Sequence, residues 1–275
     1  MFLIFVAASF AVLPKLGVTP GAGNFWEVAR AKIWTGVALE GQSQFTILHV
    51  IFFTWVANAA MHLGMSDLTI LRYAKKWTYG FASAMGMFLG HYVAWIASGI
   101  LYAAAHSAAP GVVAYEAIGI SGAVAVVIAG WTTANPTLYR AGMALQVASG
   151  WSRWKVTMMA GLVTTLAALF PALVMRLLDF VALYGLILVP MGAVIFADFY
   201  LLPKMGLHDY YADLKGIQFN RAAGYTWFFM LAVALIGNLY LKIDLFFLPV
   251  PIWIFSLLVY ILFSKIYQTS KPVLV

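Results

Sequence analysis

Ala129, Thr132 and Thr133 place a backbone carbonyl and two hydroxyls at i, i+3 and i+4, the spacing of one helical face. Three hard oxygens gathered in this way are the ligand type that alkali cations take. Pro136 adds to the case, because it lacks the N–H that would otherwise bond the Thr132 carbonyl. The same hydroxyls have an ordinary use, bonding back to carbonyls one turn earlier, and spacing alone leaves both uses open. Trp55 and Asn58 form a second constellation, one turn apart in an apolar run. An indole face beside an amide suits stacking and hydrogen bonding of a flat heteroaromatic solute; a packing or lipid-facing tryptophan is the plain alternative. Histidines form the third: His49 and His62 share one segment, and His91 and His106 flank the next. Two histidine-bearing helices suit bis-histidine haem ligation, but the spacings rotate the paired rings apart by roughly 140° and 60°. The absence of cysteine excludes disulfides, thiolate metal sites and cysteine nucleophiles. No His/Glu metalloprotease spacing, Gly-x-Ser-x-Gly elbow or Gly-Lys-Ser/Thr loop occurs. The chain therefore reads as a binding or transport protein and not as an enzyme.

The elements that must hold these residues follow from composition. Hydrophobic residues fill 64% of 275 positions and charged residues 9%, against about a quarter charged in soluble domains. Lipid must then be the main solvent, and spans in lipid satisfy their backbone internally, as helices or closed barrels. Barrel strands would alternate over about ten residues. Here the apolar runs are continuous and about twenty residues long, as helices need. Seven are expected, near 45–63, 79–105, 112–138, 156–178, 180–202, 223–241 and 245–263, after a shorter run over 1–13. The expectation is an all-α integral membrane protein with about seven or eight transmembrane helices. The run at 1–13 lacks the basic flank of a signal peptide.

A net charge of +7 invites a nucleic-acid reading, but the cations are dispersed in short clusters between apolar runs. Counted alternately by side, eleven of the 16 Lys and Arg residues fall on one side, among them Arg72, Arg140, Arg153, Lys204, Lys215, Arg221 and Lys265. That side should be cytoplasmic, which puts a multi-pass chain in the cell (inner or plasma) membrane with its C-terminus inside. Gly86-x-x-x-Gly90 and the patch Gly119, Ser121, Gly122 have the small-residue spacing of close helix contacts. Pro171, Pro190, Pro249 and Pro251 are expected kinks, and Glu116 and Asp198 are expected to reach water at helix ends.

Gly130-Trp131-Thr132-Thr133-Ala134-Asn135-Pro136-Thr137-Leu138-Tyr139-Arg140-Ala141-Gly142 resembles a stretch of the nucleobase–cation symporter family, which includes cytosine, purine, uracil, allantoin and thiamine permeases. Ser66-Asp67-Leu68-Thr69-Ile70-Leu71-Arg72-Tyr73-Ala74 is similar to the family's segment after its sixth helix, and Phe196-Ala197-Asp198-Phe199-Tyr200-Leu201-Leu202 to the inner end of its tenth. Pro20-Gly21 through Trp34 would be the external loop after the fifth. The resemblance implies a partial inverted-repeat bundle with sites at the membrane midplane. It forms one membrane domain over 1–275: 1–13 as part of helix five, 45–202 as the second repeat (helices six to ten), 223–263 as helices eleven and twelve, and 264–275 as a cytoplasmic tail. It implies import of a nucleobase or related small heterocycle, coupled to sodium or protons by alternating access. Ala129, Thr132 and Thr133 would hold the sodium, and Trp55, Asn58 and Asn135 the solute. The family's helix-eight asparagine would land on Leu138, which leaves Asn135 as the nearest amide. From Trp55 to Asp67 the chain is longer than in typical members.

No cofactor is implied beyond the coupling ion, and the expected partners are the bilayer and the solute, with no nucleic acid. Helices one to four, which complete both sites in the family, have no counterpart. The expectation is that this polypeptide needs an N-terminal half supplied separately. Two other classes stay open: a membrane-embedded bis-histidine haem redox subunit, and a non-transporting membrane scaffold.

Overall fold

The computed structural model describes residues 2–37, 44–107, 109–170, 172 and 177–270. Nine main helices carry the description: α1 (Phe2–Leu16), α2 (Ile47–Ala57), α3 (Tyr79–Ala105), α4 (Pro110–Ile118), α5 (Ile120–Ser149), α6 (Arg153–Ala167), α7 (Leu177–Phe196), α8 (Arg221–Leu239) and α9 (Pro249–Ser270). No strand occurs among the described residues. Among the described residues, four helical stretches are long and apolar enough to cross a membrane: Tyr79–Ala105, Phe180–Leu201, Arg221–Leu239 and Pro249–Gln268. Large apolar side chains stay exposed along them, including Phe81, Phe88, Phe228, Phe229 and Ile236. A water-facing helix would hide such a surface, whereas lipid is its natural solvent. The chain is a helical membrane protein.

The expected spans differ from the observed helices in three places, at the first two because local backbone chemistry overrides apolar length. The run over 45–63 is interrupted at Asn58 (φ −105°, ψ 5°), where α2 ends and a wider π-helical turn, Ala59–Leu63, begins. The run over 112–138 starts at Pro110, which suits a first helical position, and breaks at Gly119 (φ 64°, ψ −145°). That conformation belongs almost only to glycine. The run over 156–178 stops as a helix at Ala167, and α7 starts at Leu177, before the expected boundary at 180. Pro171, one of the expected kinks, lies outside the described residues.

The chain divides into two compact units. The first holds α1, α3, α4, α5 and α6, built from residues 1–44 and 70–170. Its core joins Val12, Leu13 and Leu16 of α1 to Ile100, Leu101 and Ala103 of α3. The last carbonyl of α1 is not left bare, because Lys32 Nζ donates to the Leu16 oxygen at 2.7 Å, and Lys15 Nζ donates to the Glu116 carbonyl at 3.0 Å. Glycines permit close approaches here, the two tightest at Gly122, where a Cβ would lie 1.9 Å from the Ala114 oxygen, and at Gly142, where one would lie 2.0 Å from Thr157 Oγ1. Gly86 and Gly90, by contrast, face open space within 4 Å, so their spacing is not used for contact inside this unit.

The second unit holds α2, α7, α8 and α9, built from residues 45–69 and 171–275. Ala59, Leu186, Val189, Met230, Ala234, Leu248 and Ile252 make one core, and Val194, Ala197, Leu202, Ala222 and Tyr260 a second. Gly185 and Gly192 stand two turns apart on one face of α7. A Cβ on Gly185 would meet Ala59 Cβ at 2.7 Å, and one on Gly192 would sit 1.7 Å from the Leu63 carbonyl oxygen. These glycines let the interrupted segment lie directly against α7.

Candidate solute and cation sites

The interruption after α2 determines what Trp55 and Asn58 can do. Thr46 caps the helix start together with His49, and Asn58 ends it one turn beyond Trp55. The Asn58 backbone N–H and side-chain Nδ2 both donate to the Thr54 carbonyl, at 3.1 and 2.9 Å. Its Oδ1 is buried and accepts no hydrogen bond. A buried amide oxygen without a donor costs on the order of 1–3 kcal/mol, so an N–H donor placed there would be stabilising. Trp55 is half-buried, with its ring 4.3 Å from that of Phe52. Below the break, the Leu63 carbonyl is met by Trp253 Nε1 at 3.1 Å, and Ser66 Oγ donates to the Ala60 carbonyl at 2.9 Å. Side chains thus take up backbone groups that the changed helical pitch releases.

Ala129, Thr132 and Thr133 come together on α5. Thr132 Oγ1 donates to the Ala129 carbonyl at 2.9 Å, and Thr133 Oγ1 donates to the same oxygen at 3.0 Å. This is the back-bonded arrangement, with three oxygens converging and both hydroxyl protons directed at one of them. A cation would bind by turning those protons away, leaving the carbonyl and two hydroxyl lone pairs to face it. Helix α5 runs on through Pro136 to Ser149 with no break. Thr137 Oγ1 adds a third back-bond, to the Thr133 carbonyl at 3.0 Å. Asn135 is exposed one turn beyond Thr132, on the far side of the helix from Thr133. The expected site residues therefore fall into two groups. Trp55 and Asn58 belong to the second unit, and Ala129, Thr132, Thr133 and Asn135 to the first.

His49 and His62 do structural work inside the second unit, whereas His91 and His106 belong to the first. Thr46 N–H donates to His49 Nδ1 at 3.1 Å, which leaves the proton on Nε2, 3.2 Å from Asp244 Oδ2. Phe45 stacks on the imidazole at 5.1 Å, and Phe246 and Phe247 close round it at 5.3 and 5.1 Å. His62 Nδ1 lies 3.2 Å from Asp67 Oδ2. Both ring nitrogens of His49 are thus engaged by the protein itself.

Three polar clusters escaped the sequence reading. Arg72 donates to the hydroxyls of Tyr73 and Tyr139, each at 2.6 Å, so two of the motifs behind the family resemblance meet in space. The Arg72 hydrogen bond holds the Tyr73 phenol below its ordinary pKa and draws the guanidinium's own upward. Asp198, half-buried at the end of its helix, is also held by partners: Tyr260 donates to Oδ1 at 2.5 Å and the Tyr210 N–H to Oδ2 at 3.0 Å. Gln268 grips the backbone of His208 on both sides, accepting from its N–H at 2.8 Å and donating to its carbonyl at 2.9 Å. None of these pairs is marked by spacing, since 62 positions separate Tyr260 from Asp198 and 60 separate Gln268 from His208. No group of three or more metal-ligating His, Cys, Asp or Glu side chains occurs among the described residues. No family model, curated protein or solved structure matches the chain.

Proposed function

We propose that the chain is the solute-binding part of a secondary transporter that carries a small flat heterocycle, of nucleobase type, together with a cation. One observation carries the reading: an apolar helix that breaks at Asn58, one turn from Trp55, and holds a buried, unpartnered amide oxygen there. Broken helix at membrane depth is tolerated where protein or a cavity takes up the freed groups, and transporters place their sites at such breaks. An amide oxygen accepts from a ring N–H or exocyclic amine, and an indole stacks on the ring. The resemblance around Trp131–Gly142 supports the same class, as do the three converging oxygens of Ala129, Thr132 and Thr133 for the coupling ion. The positive-inside asymmetry supports a cytoplasmic C-terminus.

The test is equilibrium binding of radiolabelled cytosine, uracil, adenine and thiamine to the purified chain in nanodiscs, with sodium or choline as the salt. Saturable binding of at least one, strengthened by sodium, is the expected result. Asn58→Leu and Trp55→Ala should abolish it, and the Thr132→Val/Thr133→Val double variant should keep binding but lose the sodium effect. Absence of saturable binding up to about 1 mM, an affinity weaker than about −4 kcal/mol, would overturn the reading that this chain binds the solute by itself. An unchanged sodium effect in the double variant would remove the cation site alone.

A further inference from the structure

A cleft of about 500 Å³ opens between the start of α8 and the end of α9, away from every residue considered above for solute or cation. Lys215 and Arg221 stand at it with Gln218 and Asn220, and among the described residues no Asp or Glu lines it. Ile217, Phe219 and Ala222 supply an apolar wall beside the cations. Its frame is fixed by side-chain bonds. Asn220 Oδ1 accepts from the Ala223 N–H at 3.2 Å while its Nδ2 donates to Tyr260 Oη at 3.2 Å, and the Gln268–His208 clamp closes the α9 side. Gly224 lets the Phe219 ring lie against α8, since a Cβ there would be 2.2 Å from Cζ.

Depth is set by two apolar helices that end here. Arg221 opens the span Arg221–Leu239, and Gln268 closes the span Pro249–Gln268. Tyr225 and Tyr267 stack at 6.2 Å, with Phe263 against Tyr225 at 6.4 Å. Aromatic side chains of this kind gather at headgroup level. Cations at that depth beside an apolar wall match a molecule with an anionic head and an acyl body, and basic pockets between membrane helices take acidic lipid headgroups. A soluble phosphate compound shares the head chemistry but has no use for the wall.

We propose that this cleft is a binding site for the phosphate headgroup of an anionic phospholipid, held by Lys215 and Arg221 with its glycerol and upper acyl chain along Ile217 and Phe219. The site is independent of the transport reading.

Native mass spectrometry of the full chain, titrated in detergent with phosphatidylglycerol or with phosphatidylcholine of the same acyl chains, tests it. The wild type should retain one phosphatidylglycerol at least tenfold more tightly than phosphatidylcholine. Lys215→Gln/Arg221→Gln should remove that preference while leaving phosphatidylcholine retention and the helical circular dichroism unchanged. Lys204→Gln/Lys265→Gln, which removes the same charge from residues that do not line the cleft, should keep the preference. An equal loss in both double variants would show a diffuse charge effect and overturn the site. So would no loss in either. Displacement of phosphatidylglycerol by equimolar glycerol 3-phosphate would overturn the lipid assignment in favour of a soluble phosphate compound.

Discussion

Gly192 and Trp253 decide whether the helix break below Asn58 is tolerable. Gly192 leaves room for the Leu63 carbonyl, where an added methyl would sit 1.7 Å from the oxygen. The obstacle is backbone, which cannot swing away, so Gly192→Ala should destabilise by about 1–3 kcal/mol or more. Trp253→Phe keeps an aromatic ring, though a smaller one, and withdraws the indole N–H from that carbonyl, at about 1–3 kcal/mol for the lost bond. Thermal midpoints in detergent check both, and wild-type values in the two variants would show that these contacts do not hold the break. Asn58 should behave in the opposite way. Its backbone N–H already satisfies the Thr54 carbonyl, so Asn58→Leu gives up one side-chain bond and also removes a stranded acceptor. The expected outcome is a midpoint close to wild type with solute binding lost. A large fall in stability would mark Asn58 as a structural residue. Asn58 and Trp55 were legible as a pair in the sequence, because one-turn spacing survives any helix geometry. The stranded oxygen was not, because burial of one atom depends on what packs around it.

At the scale of elements, interruptions and not lengths set what the helices do. Gly119 separates α4 from α5 in a conformation that side-chain-bearing residues rarely adopt. Gly119→Ala should cost about 1–3 kcal/mol, read as lowered resistance to thermal unfolding and to proteolysis near residue 119. An unperturbed variant would mean that α4 and α5 can join as one helix. The sequence showed Gly119 as a small packing residue; its left-handed backbone depends on Gly122 closing onto the Ala114 carbonyl, a contact invisible in a linear pattern. The start of α2 shows the same dependence. Thr46 and His49 are a local cap, readable in principle from their spacing, but the partner on the far side of the imidazole is Asp244, 195 positions away. His49→Ala removes a half-exposed hydrogen bond to Asp244, a net loss of about 0.5–1.5 kcal/mol. It should also loosen the contacts of Phe45, Phe246 and Phe247. Faster amide hydrogen exchange over 45–50 and 244–248 is the expected readout, and unchanged exchange would show that the ring cluster stands without the imidazole.

At the scale of the whole molecule, the exposed apolar surface makes the chain inseparable from lipid. It should stay in the membrane pellet after alkaline carbonate or urea washing, and release by either treatment would rule out an integral protein. Because the chain has no cysteine, single Lys242→Cys and Lys204→Cys variants can report topology directly. An impermeant maleimide should label position 242 in intact cells and position 204 only after permeabilisation; the reverse pattern would invert the proposed orientation. These whole-molecule properties are what the sequence determined by itself. Membrane residence, helical class and charge asymmetry come from composition and order along the chain, and they hold whatever the helices pack against. The tertiary structure alone decided the rest: that the long run over 45–63 breaks at Asn58, that Asp198 is held by Tyr260, and that Lys215 and Arg221 share a cleft. Each of these depends on atoms brought together from distant positions. In lipid, every backbone or polar group freed by such a break must find its partner inside the protein.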